Sequence, residues 1–414
     1  MAGDFSLNCR HCGTPLSLSM IDLGSAPPSN DYLTAETLTA PEPWLPLKVL
    51  VCTRCWLAQT MNTQGTESLF DEDYAYFSAF SDSWLAHSER YVADMQARFG
   101  LDESSLVVEV AANDGYLLQY VQARGIPCFG IEPTASTAAA ARDRGIEIVE
   151  EFFGVRLGTE LAADGRRADL ITANNVLAHV PDINDFVGGF AALLAPEGIA
   201  TFEFPHLLRL VEGNQFDTVY HEHFSYLSLT AVLRIFAANG LKAVDVEEWP
   251  THGGSLRVFA ARSDSAAHPR RPAVDAMLAR ESAAGMRTPD FYAQVQRRAD
   301  RAKYALLSFL IEQKQNGKRV AAYGAAAKGN TLLNYAGVRP DLLPWVVDRN
   351  PAKQGKFLPG SRIPIVAESR IREEQPDYLL ILPWNLAPEL MKHLDYIRAW
   401  QGRFVTAIPG LKIF

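Results

Sequence analysis

The chain of 414 residues lacks several features that would place it in a membrane or nucleic-acid-binding class. It has no stretch near the roughly 18 uninterrupted apolar residues of a membrane-spanning helix. Its N-terminus, MAGDFSLNCR, has no basic segment followed by an apolar one, so no signal peptide is expected. Acidic residues outnumber basic ones, 48 against 39, whereas phosphate binding needs clustered Lys and Arg. We therefore expect a cytoplasmic protein without a membrane or nucleic-acid partner.

Cysteine is also scarce, because the chain has only five, too few for a disulfide-rich scaffold. Four of them form two C-x-x-C pairs: Cys9, Cys12, Cys52 and Cys55. Two such turns supply four thiolates, which fill the tetrahedral shell of a zinc ion and leave no open catalytic position. The alternatives are ordinary thiols or two disulfides, but a disulfide inside C-x-x-C is strained and a reducing compartment disfavours it. The pairs predict a structural zinc site.

The central part of the chain alternates between apolar runs and helical stretches. The predicted strands are 106–110, 128–131, 147–149, 170–173 and 199–204, and the predicted helices are 115–124, 136–144 and 183–194. Alternation at this spacing implies a parallel sheet that is covered by helices on both faces. Two further strands, 241–249 and 254–261, are predicted to pair antiparallel around the sequence THGG.

The two ends of the chain differ from this central part. Residues 1 to about 70 show little periodicity beyond 47–51, so a metal cross-link would stabilise them most. After a polar boundary at 262–271 and a long helical stretch, a second alternation has strands at 319–323, 345–347, 378–382 and 404–407. We therefore predict an α/β protein with a zinc-binding domain (1–72), a central doubly wound domain (73–262) and a C-terminal Rossmann-like domain (263–414).

The turn at residues 109–115, EVAANDG, has the composition of a ligand-binding turn at the edge of a parallel sheet. Alanines stand where an NAD-binding turn has its first two glycines, which leaves less room for a pyrophosphate and favours S-adenosylmethionine. An acidic residue after the next strand is placed to bind both ribose hydroxyls. The alternative is a generic doubly wound domain with another small ligand. The expected cofactor-binding residues are Glu109, Ala111, Asn113, Gly115, Glu132, Pro133, Glu151, Phe152 and Asn174.

The densest polar cluster is DTVYHEHFSY at residues 217–226. Its His-Glu-His order lacks the i, i+4 histidine spacing of a helical metal site. A histidine with a pKa near neutrality can remove a proton, while tyrosine or histidine donors stabilise an enolate oxygen. A helix cap followed by packed aromatic residues is the alternative. We interpret the cluster as an acid–base site.

In the C-terminal region, YGAAAKGN at 323–330 follows a predicted strand and opens a helix. The N–H groups at a helix start, together with a lysine, are suited to a diphosphate. We expect Lys328 and Asn330 to bind it. The alternative is a Rossmann-like domain kept for packing, with a solvated Lys328.

In combination, these motifs resemble the sugar C-methyltransferases that act on nucleotide-linked 4-keto-deoxysugars. The resemblance covers nearly the whole chain and adds YFS at 76–78, YHEH at 220–223 and GAAAKGNT at 324–331 to the cysteine pairs and the turn at 109–115. It implies a zinc-binding N-terminal domain, a central class I methyltransferase domain that uses S-adenosylmethionine, and a C-terminal Rossmann-like domain that helps to hold the sugar nucleotide.

The resemblance also implies roles for single residues. His223 would remove the C3 proton next to the ketone, Tyr220 and Glu222 would position it and the substrate, and Tyr76 would reach the sugar from the N-terminal side. The residues expected to contact substrate are Asn175, His179, His221, Lys328 and Asn330. Some family members carry Glu-Asp-Pro where this chain has EFPH at 203–206, a departure that concerns the identity of the sugar.

The expected reaction is therefore C-methylation of a nucleotide-diphosphate-linked 4-keto-deoxysugar at C3, through an enolate, by a monomer. The alternative is an NAD-dependent sugar-nucleotide oxidoreductase that uses the C-terminal Rossmann-like turn, but this would leave the turn at 109–115 unexplained. A nucleic-acid methyltransferase is disfavoured by the acidic charge. A zinc scaffold without catalysis would give the polar cluster no task.

Overall fold

The computed structural model describes residues 7–61, 78–80 and 82–414, and the strands among them form three sheets. The first sheet is antiparallel, and its strands in spatial order are β1 (Leu18–Ala26), β2 (Leu45–Val51), β3 (Ala58–Thr60) and β9 (Ser225–Tyr226). The expectation of little regular structure in the N-terminal region outside 47–51 is wrong for β1. That strand has two register shifts against β2, so its sequence lacks a clean period of two.

The central sheet has seven strands, and the first five of them in chain order run parallel. The last two are antiparallel to each other, and β11 is antiparallel to β8. In spatial order the strands are β10 (Leu241–Trp249), β11 (Ser255–Arg262), β8 (Leu194–Pro205), β7 (Ala168–Asn174), β4 (Val107–Val110), β5 (Cys128–Ile131) and β6 (Ile148–Val149). The predicted alternation is confirmed. The carboxyl ends of the parallel strands share one edge, where a ligand site is expected.

Helices cover both faces of the central sheet because its strands are apolar on both sides. On one face lie α1 (Asp82–Phe99), α2 (Leu118–Gln122) and α3 (Ala135–Asp143). On the other lie α4 (Val155–Ala163), α5 (Ile183–Leu193), α7 (Leu229–Ala238) and α8 (Pro272–Ala283). Helix α6 (Leu207–Glu212) follows β8. Helix α2 is shorter than predicted because residues 115–117 belong to the turn that precedes it.

The C-terminal sheet is also mostly parallel, with only its last strand antiparallel. Its strands in spatial order are β14 (Ile365–Val366), β13 (Val346–Val347), β12 (Val320–Tyr323), β15 (Tyr378–Ile381), β16 (Arg403–Thr406) and β17 (Lys412–Ile413). The associated helices are α9 (Pro289–Ala293), α10 (Val295–Gln315), α11 (Ala327–Ala336), α12 (Ser369–Glu374) and α13 (Ala387–His393). The predicted α/β fold class is confirmed for both sheets.

The central and C-terminal sheets each have a core of their own, and two further cores join different parts of the chain. One hydrophobic core joins β1 and β2 to α10, α11 and the C-terminal sheet. A second core joins three of the paired cysteines to the central sheet. Among the described helices, none combines the length and apolarity needed to cross a membrane. Since these cores cross the predicted domain boundaries, the N-terminal region is held by both α/β units.

Candidate active site and metal centre

The four paired cysteines lie together, as the sequence predicted. Their sulfur atoms all lie within 4.8 Å of one another; Cys9 Sγ is 3.4 Å from Cys55 Sγ, and Cys12 Sγ is 3.5 Å from Cys52 Sγ. Four thiolates at about 2.3 Å from a zinc ion would lie roughly 3.8 Å apart, so the cluster fits a tetrahedral ion. Zinc bound here would cross-link the two C-x-x-C turns without an open position for catalysis.

Both C-x-x-C turns close in the same way. The residue after each pair has a left-handed backbone, with φ of 70° at Gly13 and 63° at Trp56. The Gly13 N–H donates to Cys9 O at 2.8 Å, and the Trp56 N–H donates to Cys52 O at 2.9 Å. Glycine adopts this backbone readily, whereas Trp56 is held by stacking on Tyr292, with ring centroids 6.2 Å apart. The repeated geometry explains how two distant segments build one site.

The turn after β4 has the strained backbone of a ligand-binding turn. Ala111 and Asn113 have φ of 58° and 49°, in a region that non-glycine residues rarely use. Gly115 has φ of 77°, and a Cβ there would lie 2.4 Å from Ile146 Cδ1. Strained backbone conformations of this kind are common at ligand-binding sites. The Asn113 N–H donates to Glu132 Oε2 at 2.9 Å, which ties this turn to the end of β5.

Polar groups at the neighbouring strand ends are buried and available to a ligand. The Oδ1 atoms of Asn174 and Asn175, at the end of β7, are buried and accept no hydrogen bond from the described residues. Native proteins rarely leave such atoms unsatisfied. Glu132 Oε1 accepts from the Thr134 N–H at 3.0 Å, so this carboxylate is held in place beside Pro133. These groups fit the adenosine end of S-adenosylmethionine.

The remaining predicted cofactor residues also lie at this edge. Glu109, on β4, is fully buried, and burial raises its pKa well above the ordinary range despite the opposing hydrogen bond from Tyr116. Phe152 follows β6 and is 51% exposed, as expected of a ring that an adenine would cover. Glu151 forms an ion pair with Arg156 on α4.

The predicted acid–base cluster forms a tight loop around His223. His223 Nδ1 lies 2.9 Å from Thr218 O, and because a carbonyl oxygen can only accept, Nδ1 carries the hydrogen. In a neutral imidazole the other nitrogen, Nε2, then has the lone pair, and the Tyr220 hydroxyl donates to it at 2.8 Å. Burial lowers the pKa of His223 well below its usual value, and the nearby His179 lowers it further. The ring is therefore a neutral base with a defined tautomer.

His179 lies beside this base. The ring centroids of His179 and His223 are 4.6 Å apart in an edge-on arrangement, although the two residues are far apart in sequence. Burial lowers the pKa of His179 to about 4, so its imidazole is also neutral at pH 7. The structure thus brings together His179, Tyr220 and His223, because the segment after β7 and the loop before β9 meet at the same edge, while Asn175 directly follows β7.

Glu222 points towards the N-terminal region rather than towards the ring of His223. Its Oε1 accepts from Asn30 Nδ2 at 2.6 Å. Burial raises the pKa of Glu222 to about 7, and repulsion from Asp31 adds to the effect. Lys353, from the C-terminal unit, partly offsets this rise. The carboxyl therefore lies where three parts of the chain meet.

Helix α11 of the C-terminal unit contacts the same loop. Thr331 Oγ1 donates to Val219 O at 2.8 Å, and Asn330 Nδ2 donates to Ser29 O at 2.6 Å. Asn330 was predicted to bind a diphosphate, but its side-chain N–H group donates to the N-terminal segment instead. Its Oδ1 is buried and accepts no hydrogen bond from the residues that the structure describes. The start of α11 is positioned directly against the acid–base loop.

Lys328 reaches the site from the first turn of α11. Its Nζ donates to Asn385 Oδ1 at 3.0 Å and lies 4.8 Å from the ring centroid of Trp384. Burial lowers the pKa of Lys328, and the nearby carboxylate of Asp217 opposes that change. Trp384 Nε1 in turn donates to Asp217 Oδ2 at 2.7 Å. The charge of Lys328 adds to the lowering of the pKa of His223, after the larger effects of burial and His179.

The structure places one other predicted residue, His221, outside this group. The ring of His221 faces the backbone of β2, with Nε2 3.3 Å from Leu45 O, and burial lowers its pKa. Its role in substrate binding stays a prediction. Tyr76 lies outside the described residues.

Comparison with known proteins shows the class of enzyme to which this chain belongs. Family models match in three consecutive parts: a zinc binding domain at 9–70, a methyltransferase domain at 84–246 and a C-methyltransferase C-terminal domain at 250–409. The C-methyltransferase NovU of Streptomyces niveus is 37% identical over 405 residues, which cover 98% of this chain and 96% of that protein. The chain belongs to this C-methyltransferase family.

Two further similarities cover a smaller part of the chain. A ubiquinone biosynthesis O-methyltransferase of Rhodopseudomonas palustris (strain BisA53) is 31% identical over 94 residues, covering 22% of this chain and 37% of that protein. The crystal structure of the 1,6-didemethyltoxoflavin-N1-methyltransferase of Burkholderia thailandensis aligns with a TM-score of 0.38 at 19% identity, covering 50% of this chain and 96% of that one.

The predicted enzyme class and cofactors are confirmed: the chain is a C-methyltransferase that uses S-adenosylmethionine and binds zinc. This assignment decides against the NAD-dependent oxidoreductase that was the alternative from the sequence. The C-terminal Rossmann-like unit belongs to the C-methyltransferase architecture itself.

Sequence reasoning missed His252 in the C-methyltransferase site. It lies between β10 and β11 with φ of 55°, and its Nδ1 is buried with no partner among the described residues. Its ring meets Trp84 edge-on, with centroids 5.2 Å apart. Burial, followed by the charge of Lys328, lowers the pKa of His252 to about 4. The sequence THGG between two predicted strands was the available signal, but it was interpreted only as a turn.

A buried ion pair supports that turn. Glu203 Oε2, at the end of β8, accepts from Arg257 Nη2 at 2.7 Å and lies 3.0 Å from His87 Nε2. Its Oε1 accepts from Thr251 Oγ1 at 3.0 Å. Burial raises the pKa of Glu203, but the His87 hydrogen bond and the Arg257 charge outweigh it and lower the pKa to about 2. Glu203, the first residue of the EFPH segment that differs from the Glu-Asp-Pro of some family members, therefore holds the backbone next to His252.

Proposed function

We propose that this C-methyltransferase acts on a nucleotide-diphosphate-linked 4-keto-deoxysugar and methylates the carbon next to the ketone, C3, through an enolate. The observation that carries the proposal is the fixed tautomer of His223, whose Nδ1–H donates to Thr218 O and whose Nε2 has the lone pair. A carbon acid needs a neutral base, and burial keeps this imidazole neutral.

The base functions as follows. A ketone at C4 acidifies the neighbouring C–H, and His223 Nε2 takes that proton once the substrate displaces the Tyr220 hydroxyl from it. The proton stays on Nε2, and the charge that develops on the substrate moves to the ketone oxygen. S-adenosylmethionine, when bound, supplies an electrophilic sulfonium methyl group. The imidazolium that results is stabilised by its hydrogen bond to Thr218 O.

The developing oxyanion needs donors that are already in place. The displaced hydroxyl of Tyr220 and the neutral imidazole of His179 both lie against His223. The imidazole of His252 is a further candidate donor, because its buried Nδ1 has no hydrogen-bond partner among the described residues. We assign Tyr220 as the principal donor because its hydroxyl is already directed at the reacting position.

The rest of the substrate would extend from this base towards α11. Lys328, in the first turn of α11, is a cation that acts on Asp217 and His223 of the acid–base loop, and the helix start adds N–H groups that suit a diphosphate. Asp348 Oδ2 accepts the Ala325 N–H at 2.8 Å, so that N–H is not available. The diphosphate would therefore meet Lys328 and the N–H groups that follow Ala326.

The reaction is tested by incubating the enzyme with S-adenosylmethionine and a panel of 4-keto-deoxysugar nucleotides. Mass spectrometry should show the gain of one methyl group on a sugar nucleotide. Incubation in deuterium oxide without the methyl donor should show exchange at one carbon next to the ketone. Methylation of a keto sugar without a nucleotide at the same rate would contradict the role proposed for Lys328.

Substitution of the base separates the roles of the loop residues. His223→Ala should lower kcat by about 10²–10⁴-fold and abolish deuterium exchange, while calorimetry shows unchanged S-adenosylmethionine affinity. Tyr220→Phe keeps the imidazole but removes the principal oxyanion donor, so exchange should persist at a reduced rate, with kcat lower by about 10²–10³-fold. An unchanged rate for His223→Ala would exclude it as the base. Loss of exchange in Tyr220→Phe equal to that in His223→Ala would assign proton removal to the phenol instead.

A further inference from the structure

A single side chain of the metal centre contacts both histidine-bearing segments of the site. Arg10 lies between Cys9 and Cys12. Its Nη2 donates to Thr60 O at 2.8 Å, and its Nη1 donates to Pro181 O at 3.5 Å. The guanidinium also lies over the ring of Phe224, 5.2 Å from the centroid. Pro181 follows His179 by two residues, and Phe224 directly follows His223.

The contact through Thr60 leads straight to the proposed base. Thr60 Oγ1 donates to His223 O at 3.0 Å, and the Thr60 N–H donates to Phe224 O at 3.1 Å. These bonds continue the pairing of β3 with β9, in which Gln59 lies opposite Ser225. Because β3 begins three residues after Cys55, the second C-x-x-C turn is directly joined to the strand that holds His223.

Gln59 connects this strand to the sulfur cluster. Its Nε2 donates to Cys9 Sγ at 3.3 Å, and its Oε1 accepts from the backbone N–H of Arg10 at 2.9 Å. Oε1 also accepts from Arg10 Nε at 3.4 Å. Gln59 is almost completely buried, so its amide has a single geometry. The first C-x-x-C turn and β3 are thereby fixed relative to each other.

We propose that Arg10 is a positioning residue, anchored by the metal centre, that fixes the placement of His223 relative to His179. The inference rests on the roles proposed above for the two histidines. A planar guanidinium can donate to two separate carbonyl groups at once, which a lysine ammonium on a flexible stem does less rigidly. The zinc centre then has a second consequence besides local stability, since it sets the geometry of the acid–base pair.

Arg54 is a matched control. It occupies the second C-x-x-C pair, between Cys52 and Cys55, but its side chain is exposed. Its backbone carbonyl accepts from Arg234, a contact that a side-chain change leaves intact. Arg10→Met and Arg54→Met therefore remove the same group from equivalent parts of the metal centre, and only the first removes contacts to the histidine segments.

The experiment compares the wild type with Arg10→Met, Arg10→Lys and Arg54→Met as full-length zinc proteins. The first readouts are zinc content, S-adenosylmethionine affinity by calorimetry, kcat, KM and deuterium exchange at the substrate. A readout independent of activity is the ¹⁵N NMR spectrum of the nine histidines, which reports the tautomers of His223 and His179.

We expect Arg10→Met to keep its zinc and its methyl-donor affinity but to lose about 10–100-fold in kcat and exchange, as a displaced base does. KM should change little, the signals of His223 and His179 should shift, and Arg10→Lys should be intermediate. Arg54→Met should match the wild type throughout. If the keto sugars prove not to be substrates, the histidine signals still decide whether Arg10 positions these rings.

Two results would overturn the proposal. One is Arg10→Met with wild-type kcat and unshifted histidine signals. The other is loss of zinc or methyl-donor affinity in proportion to kcat, which would show a general structural role. If Arg10→Met does not fold, Thr60→Val removes only the hydroxyl that holds His223 O. That variant should retain zinc and shift the His223 signal, and an unshifted signal would equally contradict the proposal.

Discussion

At the scale of single residues, burial controls protonation around the site. The imidazoles of His179 and His223 are kept neutral because charging them in the interior is unfavourable. The same effect acts oppositely on carboxyls and raises the pKa of Glu222 to about 7 and that of Asp217 to about 6. Burial therefore disfavours the charged form of all four groups.

The raised pKa of Glu222 makes a prediction about stability. A carboxyl whose pKa is about 7 when folded and about 4.3 when unfolded binds more protons in the folded state between those values. Stability due to Glu222 is therefore present at low pH and is lost as the pH rises from about 4 to 7. Glu222→Gln does not titrate, so its unfolding free energy relative to wild type should rise by roughly 2–4 kcal/mol from pH 4 to pH 8.

Urea denaturation of both proteins at several pH values measures this difference. Parallel pH dependence of the two unfolding free energies would contradict the prediction. The test concerns folding alone, so it is independent of the substrate.

At the scale of elements, buried carboxylates hold the ends of helices and strands that carry the site. Glu281 of α8 is completely buried and accepts from the N–H groups of Leu229 and Thr230, at 2.6 and 2.8 Å, at the start of α7. His206 Nε2 lies 2.7 Å from the same carboxylate. Burial raises the pKa of Glu281, but the hydrogen bonds from His206 and Thr230 outweigh it and lower the pKa overall.

Glu281→Gln should therefore destabilise the protein by about 2–4 kcal/mol, because the donors at the start of α7 lose a charged acceptor. Asp275→Asn is the control, since Asp275 is an exposed acid of the same helix and should change stability by only about 0.5 kcal/mol. Since the pKa of Glu281 is lowered, its contribution is present above the unfolded pKa and is lost as the pH falls. Urea denaturation at pH 7 and pH 4 measures both effects, and equal values for the two variants would contradict this account.

The helices and strands that the sequence predicted were those whose pattern is visible within a short segment of the chain. The strands around the turn at 109–115 were predicted because short apolar runs and small-residue turns are visible in neighbouring positions. Strand β9 was missed because its two residues become a strand only by pairing with β3, from which they are separated by most of the central domain. A period of two cannot be read from two residues.

At the scale of the whole molecule, the zinc centre belongs to the core rather than to an independent lobe. Three of its cysteines share a hydrophobic core with the central sheet, while β1 and β2 share another with the C-terminal unit. The acid–base loop is held from three directions, by β3, by Asn30 and by Thr331 of α11. We therefore expect a change at the metal centre to reach the acid–base loop.

Removal of zinc should therefore abolish catalysis before it unfolds the central sheet. After treatment with a chelator, methylation and substrate deuterium exchange should fall by at least about tenfold, because β3 no longer holds the loop at His223. Amide hydrogen exchange should accelerate in β3 and β9 but not in β4 and β5, and calorimetry should show retained S-adenosylmethionine affinity. The control is the same chelator saturated with zinc. Retained activity in a protein shown to be free of zinc would contradict this prediction.

The cofactor roles of the strand-end residues stay predictions, but the sequence by itself determined the four-cysteine cluster that fits zinc and the doubly wound α/β fold. These follow from close spacings and local periodicities, which depend on covalent geometry and side-chain burial along short segments. Only the tertiary structure decided that His252 joins the site, that His221 faces β2 and that Arg10 spans both histidine segments. Those facts depend on contacts between residues far apart in the chain. Such contacts are determined by how the sheets pack against each other, not by the residues next to each partner in the sequence.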